Sequence, residues 1–127
     1  MDTMDSNIRV LVVDDFAEMR RILRHILKQI GLKNITEADN GKSAIEVLKK
    51  EKFGLILCDW DMPEMSGLEL LNKVRSDDEL KNIPFLLVTA EAQKDNIADA
   101  FKAGVSDYVM KPFTVKNIIE KVKKIFD

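Results

Sequence analysis

Acidic residues stand where apolar runs stop. Asp14 and Asp15 follow the run at residues 8–13, and Asp59 follows residues 55–58 with Asp61 two positions on. Thr89 closes the apolar run 85–88, and Lys111 follows residues 107–110. Carboxylates gathered at one point repel one another, and such a cluster is hard to keep ionised without a cation. A small set of oxygen-only ligands selects a hard divalent ion, and Mg²⁺ suits it because it keeps several waters. With the metal in place, Asp59 can act as a carboxylate nucleophile towards phosphorus. Lys111 then supplies positive charge to the developing phosphoryl oxygens, and the Thr89 hydroxyl supplies a hydrogen bond. Together these residue types form a device for making an aspartyl phosphate.

That chemistry requires a fold that brings the run ends together. The stretch 8–13 is nearly continuous in apolar residues, which suits a strand buried on both faces. Met19, Ile22, Leu23, Ile26, Leu27 and Ile30 recur at helical spacing, and Gly31 follows as a left-handed stop. A short strand at 35–38, a turn at Asp39-Asn40-Gly41 and a helical stripe of Ala44, Ile45, Val47 and Leu48 come next. The alternation continues through strands at 55–58, 85–88 and 107–110. A helix opens at Ser66, with Glu69 three residues on as in a capping box, and carries Leu68, Leu71 and Val74. A weaker helix carries Ile97, Ala100 and Phe101 and stops at Gly104. The last helix, with Thr114 as its N-cap, carries Val115, Ile118, Ile119, Val122, Ile125 and Phe126. Five strand–helix units predict a single α/β domain: a doubly wound five-stranded parallel sheet with five helices. Strand order 2-1-3-4-5 is one of the two common solutions, and in such sheets ligands bind beyond the carboxyl ends of the strands.

Each residue also has an ordinary reading. An Asp pair after a strand can be a turn and a helix cap, Thr89 can cap a loop, and a lysine before proline can be a solvated loop charge. The specificity lies in the conjunction, because four strand ends deliver acid pair, acid, hydroxyl and amine in turn.

The segments Asp14-Asp15-Phe16, Met19-Arg20-Arg21-Ile22, Asp59-Trp60-Asp61-Met62-Pro63, Gly67-Leu68-Glu69-Leu70-Leu71, Thr89-Ala90-Glu91-Ala92 and Lys111-Pro112-Phe113-Thr114 resemble the receiver domains of response regulators. Within that family they are most similar to its chemotaxis branch, from about residue 8 onward. The resemblance implies sheet order 2-1-3-4-5 and a role for each matching position. Asp59 would accept a phosphoryl group from the phosphohistidine of a histidine kinase. Asp15 and Asp59 would ligate Mg²⁺ directly, Asp14 would act through water, and the Asp61 carbonyl would complete the protein ligands. Lys111 would pair with the phosphoryl group, while Thr89 and the Ala90 amide would bind its oxygens. Tyr108 would be the switch that moves inward when Thr89 is drawn to the phosphoryl group, and the Lys111–Pro112 bond would be cis. The expected output partner is the flagellar motor switch protein, with a phosphatase as a further candidate.

Two positions depart from the family pattern. Asp61 stands where the chemotaxis members usually carry Asn, adding charge beside the metal, so metal affinity and phosphorylated-state lifetime should differ. Ser66 stands where many receivers have Asp, and both are good N-caps. His25, among Glu18, Arg21 and Lys28, reads as a solvated surface residue, Cys58 as core packing and Trp60 as a partly exposed loop aromatic beside Asp59. The basic run Lys121, Lys123, Lys124 reads as the wet face of the last helix.

Composition removes whole classes. The 127 residues suit one domain, and 46% hydrophobic with 33% charged residues is a globular balance. A net charge of −2 offers no basic excess for nucleic acid. No apolar run approaches the roughly 20 residues that span a bilayer. One Cys and one His cannot build a zinc cluster, and the single Cys excludes an intrachain disulfide. The expectation is a cytoplasmic monomer with a flexible leader at residues 1–7, a receiver domain at 8–127 and no output domain. Its function would be that of a switch rather than an enzyme, with only self-phosphorylation from small donors and self-dephosphorylation. Alternatives within that class are a phosphate sink and a single-domain regulator of another pathway. Outside it stands a Mg²⁺-dependent aspartyl-phosphate hydrolase of the haloacid-dehalogenase type, which also uses Asp-x-Asp after a strand. That family continues its motif with Thr or Val where this chain has Pro63, and it carries the pair on its first strand. A flavodoxin-like cofactor binder is disfavoured because two acids end the first strand where phosphate would sit.

Overall fold

The computed structural model describes residues 6–90 and 94–126. Five strands alternate with five helices: β1 (Arg9–Val13), α1 (Ala17–Gln29), β2 (Asn34–Ala38), α2 (Gly41–Lys50), β3 (Leu55–Asp59), α3 (Gly67–Ser76), β4 (Phe85–Thr89), α4 (Lys94–Lys102), β5 (Asp107–Met110) and α5 (Val115–Ile125). All strand pairs are parallel, as the alternating pattern predicts, and the order is β2-β1-β3-β4-β5, as the family resemblance implies.

The sheet is covered on both faces because its strands alternate their side chains between two cores. Val10, Val12, Leu55, Leu57, Leu86 and Val109 pack against Leu23, Ile26 and Leu27 of α1 and Ile118 and Val122 of α5. Leu11, Val13, Ile56, Cys58, Phe85 and Leu87 pack on the other face against α2, α3 and α4. Central β3 and β4 are buried along their whole length, which explains their unbroken apolar runs, whereas edge strand β2 is largely half-exposed.

Helix ends follow local chemistry. Asn40 caps α2 by accepting from Ser43 N–H at 2.8 Å, and Ser66 caps α3 by accepting from Glu69 N–H at 3.1 Å. Thr114 and Asn117 form a reciprocal capping box at α5. Gly31 and Gly104 take positive φ where α1 and α4 stop, a conformation that glycine adopts without steric cost. The helical stripes are broader in sequence than in contact. Ile22, Phe101 and Val115 fit the spacing yet remain exposed, and Leu70 joins the α3 core although its spacing did not single it out. His25 is exposed and Cys58 buried, as expected, whereas Trp60 is buried in the core rather than lying in an open loop. The expected leader at 1–7 falls outside the described residues over positions 1–5, and residue 127 does so at the other end.

Candidate functional site

Strand register assembles the site. Val13 pairs with Cys58, Asp59 with Val88, and Thr89 with Met110, so the residues at and just beyond these strand ends share one edge of the sheet. Carboxylate oxygens of Asp14, Asp15 and Asp59 lie within 4.8 Å of one another. Lys111 enters from beyond β5, its backbone N–H bonded to the Thr89 carbonyl at 2.8 Å. Its Nζ donates to Asp59 Oδ1 at 2.9 Å and lies 3.8 Å from Asp14 Oδ2. The Lys111–Pro112 bond that follows is cis, as the resemblance implies.

The electrostatics are unbalanced. Asp14 is fully buried and Asp59 is 5% exposed. Burial pushes both carboxyls above their ordinary value. For Asp14 the Phe16 N–H opposes that rise and the Asp59 charge adds to it. For Asp59 the Lys111 ammonium opposes it, while Asp15 and Asp61 add to it. Three carboxylates face one ammonium, leaving two uncompensated negative charges, the complement of a divalent cation.

The donor set fits Mg²⁺. Asp14 Oδ1 accepts the Phe16 N–H at 2.9 Å and so serves the turn into α1, which is the ordinary reading of an acid after a strand. Asp14 Oδ2 and Asp15 Oδ1 are different: both are buried and neither has a hydrogen-bond partner among the described residues. A buried carboxylate oxygen without a partner is costly, and a hard cation satisfies two such oxygens at once. Ligand oxygens at about 2.0–2.1 Å from Mg²⁺ stand about 4 Å apart across the ion, compatible with the observed cluster.

The remaining candidates occupy distinct places. Thr89 is buried at the end of β4, with Ala90 exposed just after it. Asp61 is exposed, and its carboxylate is not in the close group of three; it acts on Asp59 through charge. Tyr108 is half-buried, paired with Leu87 two residues short of Thr89. Its ring meets Phe101 edge-on at 6.1 Å and lies under Lys121 Nζ at 5.4 Å, while Lys121 is held by Asp107 at 3.1 Å. Lys121 is therefore fixed between β5 and its own helix rather than lying on a wet face. Glu91 and Ala92 of the Thr89-Ala90-Glu91-Ala92 segment lie outside the described residues.

Two supporting features escaped sequence reasoning. A Cβ on Gly67 would collide with the Asp59 carbonyl and lie 3.0 Å from Trp60 Cα, so only glycine lets α3 start against the end of β3. The Gly67 N–H bonds the Trp60 carbonyl at 2.7 Å there. Arg75 ties three segments together by donating to the carbonyls of Gly104 at 2.8 Å, Lys81 at 3.0 Å and Ile83 at 2.6 Å. A glycine after a Ser cap was a visible signal for the first; nothing local signals the second.

Comparison with known proteins agrees with this geometry. The response regulator receiver domain family matches residues 10–123. The chain is 45% identical over 124 residues to chemotaxis protein CheY-3 of Vibrio cholerae, covering 98% of this chain and 95% of that protein. It is 47% identical over 120 residues to chemotaxis protein CheY of Pseudomonas aeruginosa, covering 94% and 97% respectively. Among solved structures, Vibrio cholerae CheY4 superposes with a TM-score of 0.87 at 27% identity, covering 94% of this chain and 98% of that one. A response regulator receiver protein from Pseudomonas putida gives a TM-score of 0.85 at 30% identity, covering 95% and 99%. No helix among the described residues is long and apolar enough to cross a membrane. With its sheet order, its acid-and-lysine strand ends and these relatives in agreement, the chain belongs to the response regulator receiver domain family, among its CheY-type members.

Proposed function

We propose that this protein is a two-component switch in which Asp59 accepts a phosphoryl group from a histidine kinase in a Mg²⁺-dependent step. The observation that carries the reading is the pairing of Asp59 with Lys111 at 2.9 Å beside buried oxygens of Asp14 and Asp15 that accept no hydrogen bond. An Asp59 oxygen forms a bond to phosphorus as the phosphorus–nitrogen bond of the phosphohistidine breaks, and the ring nitrogen keeps the electron pair. Asp14, Asp15 and Asp59 would hold the ion, with the Asp61 backbone carbonyl as a further ligand. Bound Mg²⁺ supplies positive charge that neutralises the phosphoryl oxygens and the carboxylate cluster. Lys111 follows the charge as it moves from the carboxylate to the phosphoryl oxygens, and Thr89 and the Ala90 amide bind those oxygens from β4.

The phosphoryl group adds about −1.5 to −2 charge at a buried site. Drawing Thr89 towards it opens space that Tyr108 takes up, altering the surface made by α4, β5 and α5. The chemotaxis names of the similar proteins support flagellar motor switch control as the output, with the chemotaxis kinase as phosphodonor and a phosphatase ending the signal. In this reading the switch works as a cytoplasmic monomer.

Mass spectrometry after acetyl phosphate treatment, with and without Mg²⁺, tests the chemistry. About one phosphoryl adduct per chain is expected, dependent on the metal and absent in Asp59→Asn. Steady hydrolysis of the donor without a protein adduct would replace the switch by a hydrolase. Binding of the phosphorylated protein to a motor-switch peptide tests the output, and phosphorylation without such binding would point to a phosphate sink.

A further inference from the structure

Gly41 is the first residue of α2 and is buried, yet it has no backbone reason to be glycine, since its φ is not positive. Alanine is the better helix former, so glycine there costs helix stability unless something needs the missing side chain. The neighbour that needs it is Met65, in the turn between β3 and α3. A Cβ on Gly41 would collide with Met65 Sδ and would lie 2.9 Å from its Cγ and 3.0 Å from its Cβ. A flexible thioether end can swing aside, but a Cβ moves only with its backbone. Gly41 is itself held in place, because Asn40 caps the helix through Ser43 N–H at 2.8 Å.

The turn that carries Met65 is tight. Met65 N–H bonds the Pro63 carbonyl at 2.8 Å across Glu64, whose φ of 71° lies in the left-handed region that non-glycine residues rarely adopt. Such a conformation persists only when its surroundings over-determine it. One end of the segment is anchored where the Gly67 N–H meets the Trp60 carbonyl at 2.7 Å. The outer part has Met65 as its anchor, half-buried against the core beneath α2 and α3. The segment starts directly after Asp59 and includes Asp61, so its placement decides what charge stands at the mouth of the carboxylate cluster.

We propose that Gly41 is a positioning residue for the acidic site: the notch left by its missing side chain seats Met65 and fixes the β3–α3 turn, with Asp61, at the mouth of the cluster. This rests on the metal-dependent reading given above for its consequence, though not for the contact itself. The seat couples α2, a helix that contributes no carboxylate to the cluster, to the loop that follows the phosphoacceptor.

A double-mutant cycle on the full chain tests it, using Gly41→Ala, Met65→Ala and both together. Amide hydrogen exchange in EDTA reads the turn without metal, and Mg²⁺ titration followed by Trp60 fluorescence reads the site. Each single change is expected to speed exchange at Met65 and Gly67 and to weaken Mg²⁺ binding about two- to fivefold, no more than loss of the Asp61 charge itself. The double variant is expected to be no worse than either single one, because both remove the same contact. Met65→Ala opens space rather than filling it, so it keeps the cycle readable if Gly41→Ala folds poorly. A Gly41→Ala protein with raised Tm, unchanged exchange and unchanged Mg²⁺ affinity would overturn the proposal, as would faster exchange with unaltered affinity. A wild-type chain that binds no Mg²⁺ would defeat the metal reading, and the exchange pattern would still decide whether Gly41 fixes the turn.

Discussion

Lys111 and Asp59 are 52 positions apart in sequence, yet the lysine Nζ lies 2.9 Å from the Asp59 carboxylate. The lysine is 22% exposed and the carboxylate 6%, so the pair is only partly screened by water. Its partner charges are unequal in number, because Asp14 lies against the same ammonium and Asp15 joins the two carboxylates. The site is therefore held together and left anionic by the same residue.

Replacing Lys111 by Met should slow phosphoryl uptake from acetyl phosphate by roughly 10²–10³-fold, the usual cost of losing one donor to developing oxyanion charge. The metal-free protein should also lose about 1–3 kcal/mol, since buried carboxylates lose the ammonium that faces them. Adduct formation followed by mass spectrometry checks the first, and urea unfolding in EDTA the second.

The pH dependence of the metal-free protein has a defined sign. Asp14 and Asp59 titrate above their ordinary value near 3.8 in the folded chain, mainly because burial disfavours the charged forms. Between the unfolded and folded values the native state binds more protons than the unfolded state. Stability therefore falls as pH rises through that window and stays low above it. Urea midpoints in EDTA, measured from about pH 4 to about pH 7.5, should decline for wild type and decline less for Asp59→Asn. At neutral pH that variant should be the more stable of the two.

Magnesium should reverse the penalty. At a free concentration about 100 times its Kd, a ligand of the native state alone adds about 2.7 kcal/mol. Tm should rise on adding Mg²⁺ to wild type and barely move in Asp15→Asn, whose substitution removes the carboxylate charge carrying one of the two buried oxygens that accept no hydrogen bond. Calorimetric scans with and without the ion provide the comparison.

Asp61→Asn should weaken Mg²⁺ binding about two- to fivefold, in keeping with an exposed charge acting through solvent. The same change should alter the rate of phosphate release, because Asp61 adds negative charge next to Asp59. Isothermal titration and a phosphate-release assay read the two effects. Equal values for both proteins would mean that the extra carboxylate does not reach the site.

Arg75→Met provides a contrast away from the chemistry. It leaves the carbonyls of Gly104, Lys81 and Ile83 without their shared cationic donor. A loss of about 2–3 kcal/mol in urea unfolding is expected, with Mg²⁺ affinity unaltered.

Periodicity was enough to read five strands, five helices and the residues at the strand ends, because burial on both sheet faces demands unbroken apolar runs and each run stops at a charged or hydroxyl residue. The acids of β1 and β3, Thr89 and Lys111 were legible for that reason, and the motifs they sit in carried the family. Contacts between distant segments were not legible. Arg75 bonds to backbone carbonyls, which every residue possesses, so no pattern in residue types marks its partners. Met65 needs Gly41 only once α2 and the β3–α3 turn are folded against each other. Phe101 and Val115 obey helical spacing yet stay exposed, because spacing places a residue on a stripe but the neighbouring elements decide how wide a stripe is covered. Side-chain chemistry and local period are written along the chain, whereas register, crowding and the burial of two carboxylate oxygens without a hydrogen bond arise only when strand ends meet in space.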